Sequence, residues 1–93
     1  MRVRWTRLAR TDLEEIRKYI AAANPKAAHR VGTRLREAAA KLSKHPYLGR
    51  PGSVPGTREK PALPYPYVIV YEVNEQAREV WILRVYHMAR NRP

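Results

Sequence analysis

Three residues in the second half of the chain are suited to acid–base chemistry on a phosphate. His87 can accept or give a proton near neutral pH, and Glu59 is a second candidate proton carrier. Arg84, or alternatively Arg90, could stabilise the negative charge of a phosphate. Cleavage of RNA through its 2′-hydroxyl needs a base, an acid and a cation of these kinds. His87, Arg84 and Glu59 are therefore one candidate catalytic set.

Each of these residues also has a plainer interpretation. His87 could simply bond a backbone carbonyl at the end of a strand, and Arg84 could pair with Glu72 across a hairpin. Exposed ion pairs of that sort contribute little, typically under about 1 kcal/mol. Residue type alone leaves both interpretations open.

The sequence favours neither a metal nor a cofactor. It contains no cysteine, and its three histidines lack both ligand-like spacing and a nearby cluster of acids. The glycines of the central loop do not have the fixed spacing of a nucleotide-binding loop. We therefore expect no metal site and no cofactor.

Positive charge is the strongest compositional feature. The 93 residues carry a formal net charge of +11, which favours an anionic partner such as nucleic acid, a ribosome or an acidic protein. The length predicts one domain, residues 1–93, and no apolar run is long enough to cross a bilayer, so we expect a cytoplasmic protein without a membrane partner. The basic and aromatic candidates for target binding are Arg50, Arg58, Lys60, Tyr86 and Arg90.

The first half of the chain predicts a short strand followed by two helices. Val3 and Trp5 alternate with arginines, as in a strand with one face inward. Apolar residues then recur at helical spacing from Leu8 to about Ala22, with Thr6 as N-cap. A second amphipathic helix starts at Asn24-Pro25 and ends before His45-Pro46. The link between the helices is very short, which predicts a helical hairpin.

The second half predicts a long loop and a β-hairpin. Prolines and glycines interrupt residues 46–66, apart from a short strand near residues 57–60. Residues 67–73 and 79–86 are β-branched and aromatic runs around a polar turn. If Val73 pairs with Glu79, then Tyr71 faces Trp81 and Ile69 faces Leu83, on the sheet face that should meet the helices. On the opposite face, Val68 then lies opposite Arg84. The predicted fold is α+β, with a small twisted antiparallel sheet, the helical hairpin on one face, and the order β-α-α-β-β-β.

Four stretches, taken in order, resemble one known family over essentially the whole chain. They are LARTDLEEIRKYI in the first helix, HPYLGRPG after the second, PGTRE in the loop, and the strand pair YPYVIVYEV and WILRVYHMARNRP. Together they are similar to the RelE/ParE toxins of type II toxin–antitoxin systems. The resemblance implies the same fold, and it implies a cognate antitoxin whose extended segment wraps the toxin in a hetero-oligomer.

The resemblance implies one of two activities. RelE-like members cut messenger RNA in the ribosomal A site, and His87 lies where some of these nucleases place a catalytic histidine. ParE-like members bind DNA gyrase and have no cleavage chemistry of their own. The nucleases usually carry an arginine just after the first aromatic residue of the penultimate strand, but Val68 follows Tyr67 here. This departure and the ending HMARNRP favour gyrase over the ribosome, with a non-toxic nucleic-acid-binding module as a further alternative.

Overall fold

The chain forms two helices and five strands within residues 1–89, the part that this computed structural model describes. In chain order the elements are β1 (Arg2–Trp5), α1 (Arg7–Ala21), α2 (Pro25–Lys41), β2 (Arg50–Pro51), β3 (Arg58–Pro61), β4 (Tyr67–Asn74) and β5 (Glu79–His87). The α+β class and the helical hairpin are as the sequence predicts. Strand β2 is an addition, contributed by two residues of the loop.

Both helices begin where their capping residues predict. The side-chain oxygen of Thr6 accepts a hydrogen bond from the backbone N–H of Ala9 at 3.0 Å. Asn24 caps α2 in the same way through Ala27 at 3.0 Å, and Pro25 occupies the first helical position. These bonds satisfy backbone donors that have no partner within the helix. Local chemistry therefore sets the start of each helix.

The sheet has the strand order β1-β5-β4-β3-β2. Strands β2 to β5 pair antiparallel with their neighbours, whereas β1 runs parallel to β5, with Arg2 opposite Glu79 and Trp5 opposite Ile82. The sheet is therefore mixed. This follows from the path of the chain, because the helical hairpin and three further strands intervene before β5 returns beside β1.

The register of the β4–β5 hairpin differs from the expected one. Asn74 pairs with Glu79 and Val73 with Val80, so β4 extends one residue further into the turn than expected. Arg78 supports this tighter turn with a positive φ of 57°. A bulge at Leu83 of β5, between the Tyr71–Ile82 and Val70–Arg84 pairs, then shifts the register again, and Val70 is the residue opposite Arg84.

The shifted register changes which side chains enter the core. Val80 and Ile82 are fully buried, where the expected pairing placed Trp81 and Leu83. A shift of one residue moves every side chain of a strand to the other face. Val68 lies opposite Tyr86, so the expected pairing of Val68 with Arg84 was wrong.

The core lies between the helical hairpin and one face of the sheet. Its largest fully buried members are Tyr71, Leu35, Leu42, Ile69 and Ile82. The Tyr71 hydroxyl lies at the edge of this core, against the loop that follows α2. In residues 1–89, neither helix has the length and apolarity that a bilayer span requires.

Candidate functional site

Arg84 is held by an aspartate of α1. Its Nε and Nη2 donate to the two carboxylate oxygens of Asp12 at 2.8 and 3.1 Å. The same carboxylate accepts the backbone N–H of Val85 at 2.9 Å. The hydrogen bonds that Arg84 donates to Asp12 raise the pKa of Arg84, although burial acts in the opposite direction. The Arg84 guanidinium therefore already has a carboxylate partner for two of its N–H groups.

Sequence reasoning missed Asp12, although a signal was present. Asp12 lies three residues after Ala9 and four before Ile16, both of which face the core side of α1. Side chains at these spacings share one face of a helix. An acidic residue at the edge of the apolar face of α1 can therefore pair with a basic side chain of the sheet. The Asp12 side chain is only 12% exposed.

His87 lies at the end of β5 beside a groove. Its ring packs edge-on against Tyr67, with ring centroids 5.3 Å apart, and its Nδ1 accepts the backbone N–H of Ala89 at 3.1 Å. The groove has a volume of about 620 Å³ and lies between α1 and β5, with Tyr67 of β4 also in its lining. Arg84 lines the same groove. Two members of the candidate catalytic set therefore meet here.

Glu59 lies elsewhere. It is on β3, only 6% exposed, and its Oε1 is 3.4 Å from Nη2 of Arg50. It lines a smaller groove of about 260 Å³ together with Arg84 and Tyr86, and His87 is not part of that groove. Strand β4 separates β3 from β5, which puts their backbones roughly 10 Å apart. The structure thus brings His87 and Arg84 together and leaves Glu59 in a neighbouring groove.

Arg58 and Lys60 lie on the helix side of the sheet. Arg58 is paired with Tyr71 and Lys60 with Ile69, and directly paired residues point to the same face. The Arg58 guanidinium stacks over the ring of Tyr47 at 4.9 Å and donates to the carbonyl of Gly49 at 2.8 Å. Through these two contacts, Arg58 also stabilises the loop that follows α2.

The remaining candidates for target binding are spread along the opposite face and the edge. Tyr86 is half-buried, lines both grooves, and lies under the Arg84 guanidinium at 5.0 Å. Arg50 is exposed on the edge strand β2 and pairs with Glu59. Arg90 lies outside the described residues. Within residues 1–89, no three acidic or histidine side chains are grouped as metal ligands would be.

A family model and two curated relatives all match this chain as a toxin. The family model described as the ParE toxin of the type II toxin–antitoxin system parDE matches residues 3–92. A candidate toxin of Sinorhizobium fredii, Y4kP, is 42% identical over 86 residues, which cover 92% of this chain and 86% of that protein. Toxin RelE2 of Caulobacter vibrioides is also 42% identical over 86 residues, covering 92% of this chain and 93% of its own length.

A solved structure shows the same fold. The chromosomal ParDE TA system from P. aeruginosa contains a chain that superposes with a TM-score of 0.82. The two chains are 29% identical, and the alignment covers 94% of this chain and 95% of that one. The similarity therefore extends over almost the whole of both molecules.

Proposed function

The chain belongs to the ParE toxin family of type II toxin–antitoxin systems, and we propose that it arrests growth by binding DNA gyrase, with no cleavage chemistry of its own. The observation that carries this proposal is the ion pair between Asp12 and Arg84. Arg84 is the one cation that lines the groove of His87 in the described residues. A nuclease needs that cation for the scissile phosphate.

A phosphate at Arg84 would have to compete with a carboxylate already in place. Asp12 makes two hydrogen bonds to the guanidinium, and the Arg84 side chain is only 35% exposed. A phosphate about 4 Å from Asp12 would also be repelled by roughly 4 kcal/mol at an effective dielectric constant of 20. Glu15 lines the same groove and adds further negative charge. The groove is therefore poorly matched to an RNA backbone.

Strand β4 supplies no second cation to the outer face. Val68 is fully buried opposite Tyr86, and Val70 is the residue opposite Arg84. Val68 therefore lies two residues of register away from its expected position opposite Arg84. The expected lack of a second cation remains, because the β4 residues opposite Tyr86 and Arg84, Val68 and Val70, are both valines.

We propose that a cognate antitoxin neutralises the toxin in a hetero-oligomer. The net charge of +11 favours an acidic partner. Exposed apolar side chains would supply the hydrophobic contacts of such an interface: Leu8 and Tyr19 on α1, Tyr47 and Leu48 in the loop after α2, and Val54 between β2 and β3. A solved structure with the same fold is itself part of a toxin–antitoxin system.

A supercoiling assay tests the gyrase proposal. We expect micromolar purified toxin to inhibit gyrase-mediated supercoiling and to increase gyrase-cleaved DNA, and a stoichiometric amount of the antitoxin encoded beside it to restore activity. Heat-denatured toxin is the control for non-specific binding of a basic protein. Supercoiling that continues unchanged at micromolar toxin would overturn the proposal.

Ribosome-dependent cleavage of messenger RNA is the second candidate. It is favoured by the common groove of His87 and Arg84, and by the similarity to toxin RelE2. Primer extension on a translated message would then show cuts in the A site that His87→Ala abolishes. His45→Ala is the matched control, because His45 is exposed at the end of α2. Cuts that persist in the His87 variant would exclude His87 from the chemistry.

A further inference from the structure

A third groove lies at the β1 edge of the sheet. Its volume is about 540 Å³, and its walls come from β1, from the first turns of α1 and from one residue of β5: Arg2, Val3, Arg4, Trp5, Thr6, Arg7, Arg10 and Trp81. We call it the arginine groove, because half of these side chains are arginines. None of them lines the groove of His87.

The sequence brings these arginines together through two different periodicities. Arg2 and Arg4 alternate with Val3 and Trp5 along β1, so both lie on the face away from the core. Arg7 and Arg10 are three residues apart in α1 and therefore neighbours on one side of the helix. Thr6 is the one residue between β1 and α1, so the two arginine pairs lie close together around one groove.

The positive charge of the groove is only partly neutralised. Arg4 is 3.4 Å from the carboxylate of Glu79, and Arg10 donates to the carbonyl of Trp5 at 2.9 Å. Arg2 and Arg7 are exposed, and neither has an ion-pair partner within residues 1–89. Four guanidinium groups and one carboxylate leave a local charge of about +3.

The start of α1 strengthens this positive field. Its first turn contains no acidic residue. The aligned peptide dipoles of a helix place roughly half a positive charge at its N-terminus. That end of α1 opens into the same groove, where Arg7 and Arg10 are already located. The helix end and the arginines therefore favour an anion at one place.

The aromatic residues of the groove indicate which part of a nucleic acid fits. The Arg4 guanidinium covers one face of the Trp81 ring at 5.2 Å from its centroid, and the indole N–H donates to Glu79 at 3.1 Å. With the ring covered, base stacking, which single-stranded nucleic acids exploit, is disfavoured. Arginine side chains instead suit phosphate oxygens, which they bind through paired N–H groups.

We propose that the arginine groove binds the phosphate backbone of duplex DNA without sequence preference. Duplex DNA presents about one negative charge per 1.7 Å of its length, and this high density of negative charge is complementary to the net positive charge of the groove. Strands β5 and β4 separate β1 from the β3 candidates, so this surface is additional to the target-binding residues on β3 and at the end of β5. The inference does not depend on gyrase being the target.

The two tryptophans of the chain make this groove directly observable. Trp5 and Trp81 both line it, and the chain has no other tryptophan. Intrinsic fluorescence therefore reports on occupancy of this groove. We expect a mixed-sequence DNA duplex of about 12 base pairs, at about 50 mM salt, to change the tryptophan emission in a saturable way, with a strong dependence of affinity on salt.

Charge reversal at the two unpaired arginines is the decisive test. We expect Arg2→Glu with Arg7→Glu to weaken duplex binding at least about tenfold and to reduce the salt slope by about 2. The matched control is Arg30→Glu with Arg36→Glu, which makes the same charge change at exposed positions of α2. We expect this control to weaken binding less than about threefold. Circular dichroism of each variant verifies the fold, and Arg2→Gln with Arg7→Gln provides a milder pair.

Three outcomes would overturn the proposal. The first is equal weakening by the two charge-reversal pairs, because binding would then follow net charge alone. The second is an unchanged tryptophan emission at saturating duplex. The third is tighter binding of single-stranded DNA or polyglutamate than of the duplex through the same arginines, which would assign the groove to another polyanion. Gyrase is absent from these measurements, so a failed supercoiling assay leaves their result intact.

Discussion

The hydroxyl of Tyr71 accepts a hydrogen bond from the backbone N–H of Gly49 at 2.8 Å and donates one to the carbonyl of Pro46 at 2.7 Å. Tyr71 belongs to the central strand β4 and is fully buried. A single side chain therefore joins the middle of the sheet to the loop after α2. That loop leads directly into Arg50 and the edge strand β2.

Tyr71→Phe should destabilise the protein while leaving the core packed. The ring remains, but a buried donor and a buried acceptor lose their partner, which typically costs about 1–3 kcal/mol. Thermal or urea unfolding measures the change. Tyr19→Phe is the control, because Tyr19 is 74% exposed and should be neutral. Equal stability of wild type and Tyr71→Phe would show that water replaces the hydroxyl without loss.

Alkaline pH should narrow the stability difference between wild type and Tyr71→Phe. Burial raises the pKa of Tyr71, although its hydrogen bond from Gly49 acts in the opposite direction. A phenol whose folded pKa is raised stabilises the fold below its unfolded value, and this stability is lost as the pH rises through the folded value. Wild-type stability should therefore fall above about pH 10 more steeply than that of Tyr71→Phe. Urea midpoints across that range measure the slopes, and parallel slopes would contradict the prediction.

Gly49→Ala should be strongly destabilising for a steric reason. A Cβ at this position would lie 2.7 Å from the Tyr71 hydroxyl oxygen and 2.8 Å from the carbonyl oxygen of Glu59. The backbone must shift to admit it, and overpacking of this kind typically costs about 1–3 kcal/mol. Gly56→Ala is an informative comparison, because Gly56 has open space around it and a φ of +84°. It should lose about 1 kcal/mol from backbone strain alone.

Asp12→Asn should weaken the junction of α1 with β5. The amide keeps the size of the side chain but removes the charge that Arg84 faces. Hydrogen bonds to charged groups contribute about 1.5–3 kcal/mol, and partial exposure places this loss near the lower end. Glu14→Gln, which breaks the exposed pair with Arg17, should cost less than about 0.5 kcal/mol. Similar unfolding midpoints for the two variants would show that the Asp12 pair is no stronger than a surface pair.

Short-range features were predictable from the sequence. Thr6, Asn24 and Pro25 mark the helix starts because a cap bonds within three residues of itself. The alternation of β4 correctly placed Ile69 and Tyr71 in the core, because period two identifies a strand face before its neighbours are known.

Long-range features were not predictable in the same way. The bulge near Leu83 depends on which β4 residue lies opposite, and no local preference of β5 encodes it. The pairing of Asp12 with Arg84 joins residues far apart in the chain, so neither position alone reveals it. The arginine groove needs both the parallel pairing of β1 and the turn at Thr6. Its four arginines were visible in the sequence, but their convergence was not.

The parallel pairing of β1 with β5 also orders events during synthesis. Strand β1 finds its partner only after β5 has emerged from the ribosome, whereas the two helices that lie between them can pack as soon as both are made. Pairings between distant parts of a chain form late and slowly compared with local ones. A nascent chain that lacks β5 therefore also lacks the paired β1 edge and the arginine groove built upon it, until translation has passed β5.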